Sequence, residues 1–340
     1  MVPETRVADV LQALDAITGG RVVKGIADLF GAKNPFVITK TSHVPGKAVL
    51  ETPGLVYGDL EAPVRKIALC MTLTESNIEL AGALGIDVII AHHPIADAAN
   101  SGGVPLAGYC RIYGLNVMEL HEAFHGLHPG LSYLHGHRPF RVEIAYGGIP
   151  GNILFIGRAL PEVRTLGQML DRLGELTGYA EESAVLSAER EVRDCPGLME
   201  TSVAARGQIL VGRPESPMGT VIHIFPHTGF TPHHLEQAKR EHPEAETVLA
   251  SISRVRLGHP LVDKARDLGM NFVVGNSHAL EILENWLPLA KALRHYLPPE
   301  VETIIFRERV TAVPVERVGG PAAQRYAEDM ANGYLIRRNG

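Results

Sequence analysis

Residues 64–94 read VRKIALCMTLTESNIELAGALGIDVIIAHHP, and the order of signals in this stretch decides the fold class. An apolar run, IALCM (67–71), precedes a segment opened by Thr74 and Glu75 that stays helical in pattern to about Leu84, and a second apolar run, IDVIIA (86–91), follows. Unbroken apolar runs mark strands covered on both faces, and a threonine followed by a glutamate marks a helix start; strand, helix, strand is the repeating unit of a parallel sheet. Beyond Ser101-Gly102-Gly103, residues 105–114 read as another helix and LNVMEL (115–120) as a third strand, which extends the same sheet. Upstream, Val7, Val10, Leu11, Leu14 and Ile17 recur at helical spacing and stop at Gly19-Gly20, while residues 30–62 read as loops and short strands such as FVIT and AVLE.

Around Gly126 to Gly136 the pattern gives way to His, Pro and Gly. New strand-like runs follow at 141–148 and 153–160, then an amphipathic helix at 165–177 with Thr165 as N-cap, and strands at 208–212 and 220–225. Helical segments at 232–242, 260–269 and 281–297, interleaved with the apolar runs TVLAS (247–251) and NFVVG (271–275), restore the alternating rhythm. The sequence therefore predicts an α/β protein of two α/β domains. Residues 1–140 with 245–340 are expected to build a mixed, mostly parallel sheet from both chain ends, and 141–244 an inserted α+β domain. Residues from about 311 onward give no element.

Composition narrows the function. The 340 residues are 45% hydrophobic and 21% charged, as in an ordinary globular chain. Lys and Arg number 32 against 38 acidic residues, a net charge of −6, so no basic field favours nucleic acid. Cys70, Cys110 and Cys195 are far apart with no CxxC pair, which predicts buried small hydrophobes in a reducing compartment and no catalytic thiol. No basic start and apolar run mark a signal peptide, and no apolar stretch approaches the ~18 residues of a span, so a cytoplasmic protein without membrane contact is expected. GxGxxG, GxxxxGK[ST] and GxSxG are missing, which removes the sequence anchors of nucleotide-fold and serine-hydrolase readings.

Sixteen histidines are the unusual feature. His92 and His93 follow a buried strand, where open α/β sheets bind ligands, and successive side chains of an extended chain point opposite ways, so each could serve a different ion. A hydrogen-bonded structural pair is the competing reading. The strand LNVMEL delivers His121 at its end, with Glu122 beside it and His125 on the same face if a helical turn follows. At the end of NFVVG stand Asn276, Ser277 and His278, with Glu281 and Glu284 at the start of the next helix; there the competing reading is Ser277 as a cap and Glu281 as a first-turn carboxylate. His128, His135 and His137, in a Gly/Pro-rich stretch, are expected to be solvated, as are His227, His233 and His234.

The block 64–94 resembles the first metal-binding segment of the Nif-three-like dinuclear-metal family, some of whose members are called GTP cyclohydrolase type 2 homologues. LNVMELHEAFH (115–125) resembles the second metal segment, and LVDKARDLGMNFVVGNSHALEILENWLPLAKALRHYLP (261–298) the C-terminal one. The resemblance implies two α/β domains, the first built from both chain ends, a toroidal homohexamer, and two divalent ions near the domain interface. His92 and His93 match the family's His-His pair, and His121 the histidine of its His-Thr-Asn-Leu-Asp motif. The bridging aspartate of that motif falls on His125, however, and in the Gly-His-x-x-x-Glu motif Glu281 matches while Ser277 occupies the histidine position and His278 stands one place late. Thr72 stands where an aspartate is expected, and the N-terminal Trp-Asp-Asn segment is not evident. The implied ligands are His92, His93, His121, His125, His278 and Glu281. They would hold one or two divalent ions (Zn, Fe, Ni, Co or Mn), imidazole-for-carboxylate exchange shifting preference away from Mg and Mn. The leading expectation is a metal-dependent hydrolase of a small phosphorylated or heterocyclic substrate, with Glu281 and Glu122 as proton carriers. The rival is a non-enzymatic hexameric metal- or partner-binding scaffold.

Overall fold

The computed structural model describes residues 4–29, 34–41, 48–93, 106–149, 151–277 and 280–335. The chain separates into two compact units, residues 1–140 with 278–308 and residues 141–277 with 309–340.

The first unit holds strands β1 (Ile38–Thr41), β2 (Ala48–Glu51), β3 (Gly54–Tyr57), β4 (Lys66–Cys70), β5 (Val88–Ala91) and β6 (Asn116–Glu119). The strand Glu302–Ile305, β4, β5 and β6 run parallel, and β3 closes the edge antiparallel to β6. The buried runs behave as their composition requires. Ile67, Leu69, Val88 and Ile90 face one core with Leu14 and Leu293, and Ala68, Cys70, Ile89 and Ala91 face another with Ile78 and Leu106. The first face is covered by the helices Val7–Thr18 and Leu287–Tyr296, the second by Glu75–Leu84 and Leu106–Ile112. Thr74 caps the helix Glu75–Leu84 by accepting the Asn77 N–H, and Gly85 ends it in the left-handed conformation at φ 64°.

The register places the histidines. Ala91 pairs with Cys70 on one side and Glu119 on the other, so the residues that follow β5 and β6 leave the sheet side by side. The His92 and His93 amides are held by Met71 O, and the Leu120 amide by Ala91 O.

The chain passes into the second unit within β7 (His137–Glu143), and the unit continues with β8 (Leu154–Ala159), β9 (Met199–Glu200), β10 (Gln208–Val211), β11 (Thr220–Ile224), β12 (Ala245–Ile252) and β13 (Asn271–Ser277). Its six-stranded sheet has the order β10-β13-β12-β11-β8-β7; β11, β12 and β13 are parallel, and β8 and β10 antiparallel to their neighbours. The apolar runs at 247–251 and 271–275, expected in the first domain, therefore belong here. Ile222 pairs with Val248, and Gln208 with Val274, which fixes both runs in this sheet. Only the segment 278–308 returns to the first unit. The strand expected at 141–148 starts earlier, at His137, and gives way to a turn at Tyr146–Gly148 where Gly147 adopts φ 67°.

Two of the longer helices have no counterpart in the sequence reading. Tyr179–Val192 buries only Glu182 and Leu186, and Pro321–Met330 buries nothing, so neither carries an apolar stripe that a periodicity argument could find. The cap at Thr165 is as expected, its side chain accepting the Gln168 N–H at 3.3 Å. Thr165→Ala should lower stability by about 1 kcal/mol in urea unfolding, as loss of an N-cap does. No helix among the described residues is long and apolar enough to cross a membrane. All three cysteines are buried, and burial raises the Cys70 thiol to about 12, consistent with a packing role.

Candidate metal centre

Four imidazoles and three carboxylates of the first unit gather where β5 and β6 end. His92, 1% exposed, has ring neighbours His121 at 4.7 Å, His125 at 5.2 Å and His93 at 5.3 Å between centroids. Trp286 stands edge-on to His92 at 4.6 Å and donates its indole N–H to Ile90 O, so an apolar wall backs the cluster.

The ring nitrogens have assigned duties. His92 Nδ1 lies 3.3 Å from Leu120 O, His93 Nδ1 lies 2.7 Å from Thr72 Oγ1, and His121 Nδ1 lies 3.2 Å from both oxygens of Glu51. Each Nδ1 thus has a protein partner. That is how ligating histidines are commonly oriented, the partner fixing ring and tautomer so that Nε2 presents its lone pair. His92 Nε2 faces His125 Nε2 at 3.3 Å. Two neutral ring nitrogens need either a shared proton or a cation between them. Burial, then the neighbouring His121, His125 and His93, hold His92 well below the usual histidine range, so it is a neutral imidazole at pH 7. His125 is lowered too, first by desolvation and then by His121, against the pull of Glu122, Glu281 and Glu51.

Three sets of side chains bring ligand atoms within 4.8 Å of one another: His92, His121 and His125; His92, His93 and Glu281; and Glu51, His121 and Glu122. His92 belongs to two sets and His121 to two. Nitrogen and oxygen donors in this mixture suit a borderline divalent transition ion. The chain's residues therefore fit a metal. Glu281 is 5% exposed, and beside it burial and the Glu281 charge push Glu284 well above the usual carboxyl range. Glu122 is the more open carboxylate, with its side chain 36% exposed.

Of the residues singled out in the sequence, the structure places His92, His93, His121, Glu122, His125 and Glu281 near one another, all in the first unit. His278 lies outside the described residues. Glu51 was not anticipated. It ends β2, and its carboxylate accepts the Glu122 N–H at 2.8 Å as well as facing His121. Its only sequence signal is an acidic residue at the end of the short apolar run AVLE before Thr-Pro-Gly.

The expectation of solvated histidines fails at three positions. His135 and His137 are wholly buried, His135 Nδ1 meeting Leu131 O at 2.7 Å, and burial next to His135 drives His137 to about 3. His234 is buried as well, because it takes the third position of the helix Pro232–Glu241 and its ring accepts the Thr231 N–H. Thr72, which replaces an expected aspartate, has become the partner of His93 Nδ1. Thr72→Val should weaken metal affinity about tenfold in a chelator competition, as loss of an outer hydrogen-bond partner does, without changing the ion count.

The Duf34/NIF3 (NGG1p interacting factor 3) family model matches residues 37–98, the stretch that carries Glu51, Thr72, His92 and His93. No curated protein matches the chain. Among solved structures, reduced HcgD from Methanocaldococcus jannaschii is similar at TM-score 0.53 and 13% identity, over 90% of this chain and 99% of that one. A Bacillus cereus protein related to NIF3 gives 0.51 and 13%, over 90% and 98%, and the Staphylococcus aureus hypothetical protein SA1388 gives 0.50 and 13%, over 90% and 97%. At this identity the structural likeness speaks for the fold.

Proposed function

We propose that this chain, whose residues 37–98 match the Duf34/NIF3 family model, is a divergent member of that family and that its first unit is a His-rich divalent-metal centre, of one or two ions, which serves hydrolysis of a small phosphorylated or heterocyclic substrate. The observation that carries the metal reading is the shared anchoring of His92, His93 and His121 through Nδ1. Structural histidines such as His135 are anchored through Nδ1 as well, but here the anchored rings also converge, with His92 Nε2 3.3 Å from His125 Nε2 and the ligand atoms of each set within 4.8 Å of one another.

Charge fits as well. The three carboxylates bring −3, and two divalent ions would bring +4, leaving a small positive balance that favours an anionic substrate. A divalent ion held there would supply Lewis acidity and would acidify a bound water toward ~7. Within the protein, His92, His93, His121, His125, Glu51 and Glu281 hold and orient, and Glu122, the most open of the three carboxylates, carries protons to and from solvent. Trp286 and Phe124 exclude water from the rear of the site. A scaffold reading has one observation in its favour: seven side-chain donors suffice to close the shell around a single ion, and a closed shell leaves no position for substrate. A cytoplasmic homo-oligomer, hexameric by resemblance, completes the proposal.

The test is elemental analysis of chain purified without added metal, followed by a panel of phosphoesters and nucleotides. Stoichiometric divalent metal, with turnover abolished by chelation and by His93→Ala, is expected. Negligible metal in the parent rejects the centre. One tightly held ion with a silent panel favours the scaffold.

A further inference from the structure

Beyond the end of β2 the chain is tied to β6 by side chains, where a strand ladder would otherwise do it. Gly54 pairs with Glu119 as the last rung between β3 and β6, and a continued ladder would set Thr52 opposite His121. The Thr52 N–H goes instead to Glu119 Oε1. One residue earlier, Glu51 Oε1 accepts the Glu122 N–H at 2.8 Å. The two bonds cross: an acid in β6 takes an amide from the segment after β2, and the acid that ends β2 takes one from the segment after β6. Both acids are buried, Glu119 2% and Glu51 1% exposed.

This brace decides where Glu51 points. Of the two residues between Glu51 and Gly54, Thr52 and Pro53, only Thr52 has an N–H to give, and Pro53 confines Thr52 to extended backbone. Extended residues face alternate sides, so a slip of one residue would turn the Glu51 side chain away from His121. With the Thr52 amide fixed on Glu119, both Glu51 oxygens stand 3.2 Å from His121 Nδ1, and Glu51, His121 and Glu122 form one of the three ligand sets. Glu119 is in none of those sets, and its route to the centre is through Glu51.

We infer that Glu119 is a positioning residue of the metal centre: by accepting the Thr52 N–H it holds Glu51 on His121 Nδ1, and so raises the affinity of the set Glu51, His121 and Glu122. The inference rests on the metal reading proposed above. Acceptance of a hydrogen bond is what the position requires. A glutamine, whose amide oxygen accepts as a carboxylate does, should therefore serve there, and a leucine should not.

The test is chelator competition on the full chain with Zn²⁺ as the probe ion, together with nitrogen NMR of the imidazoles in the metal-free chain. Glu119→Leu should weaken Zn²⁺ binding by about tenfold or more, as loss of an outer hydrogen-bond partner does, while Glu119→Gln binds as the parent does. In a Glu51→Ala background Glu119→Leu should cost nothing further, because its route is already cut. In the metal-free chain Glu119→Leu should shift the ring nitrogens of His121 and leave those of His93, which Thr72 holds, in place. Should Glu119→Leu lose its fold by circular dichroism, Glu119→Asp, which keeps the acid and shortens its reach, is expected to give the same loss of affinity. A parent that binds no Zn²⁺ overturns the metal reading and this inference with it. If the parent binds, this inference alone is overturned by unchanged affinity in Glu119→Leu or in its Asp substitute, by Glu119→Gln as weak as Glu119→Leu, by the same loss with and without Glu51, or by an unshifted His121 ring.

Discussion

His92→Ala should strip most of the metal from the first unit, whereas Glu51→Gln should leave the ion bound through His92 in place. The asymmetry follows from membership. His92 is common to two of the three ligand sets, so its loss leaves only Glu51, His121 and Glu122 complete. Glu51 belongs to one set, and its other duty is to hold His121 Nδ1. Removal of an orienting partner costs about 10–100-fold in affinity, and removal of a shared ligand should cost more than that. Affinities from chelator competition and ion counts from elemental analysis should therefore rank parent, Glu51→Gln, His92→Ala. His92 also packs against Trp286, so His92→Leu, which keeps the volume, should behave as His92→Ala and separates lost ligation from lost packing. A reversed ranking, or equal metal in parent and both His92 variants, would remove His92 from the centre.

How far such a site can be read from a sequence depends on what places each residue. His92, His93 and His121 were legible because each directly follows a buried strand, and three neighbouring parallel strands must end at one edge. Glu51 was not, because it reaches the site through an antiparallel pairing. β3 runs against β6 with Gly54 opposite Glu119, so the residues just before Gly54 return to the point where His121 emerges. No local pattern announces that pairing. The same limit explains the domain assignment: TVLAS and NFVVG look like buried parallel strands, as they are, but burial says nothing of which sheet they join. His135 and His137 were misread for a different reason. Glycine and proline around them signal a turn, yet the short helix Gly130–Leu134 and the start of β7 bury both rings. Hydrophobic spacing reports elements that bury a stripe, and it is silent where two helices bury almost nothing.

Acid should unfold the metal-stripped chain early, and His137 should account for a full proton of the effect. An imidazole titrates near 6.5 in the unfolded chain, while His137 in the folded chain titrates at about 3 because burial and the neighbouring His135 oppose its charge. Between those values the unfolded state holds one more proton than the native state, so unfolding free energy falls as pH falls, by about 1.4 kcal/mol per pH unit. The contribution is fully present above about 6.5 and is exhausted near pH 3, a loss of roughly 5 kcal/mol from this one ring. That is comparable with the whole stability of a typical domain. His92, lowered in the same direction by burial, adds to the slope below the ordinary histidine range, and bound metal would oppose it by excluding protons from the ring. Urea unfolding followed from pH 7 to pH 4 should show the fall, and His137→Gln, which cannot take up the proton, should flatten the slope by about 1.4 kcal/mol per unit whatever it costs in stability at pH 7. Carboxylates titrate alike in both chains, so the difference between them isolates the imidazole. A slope that stays the same in His137→Gln would mean that the ring finds a way to charge inside the fold.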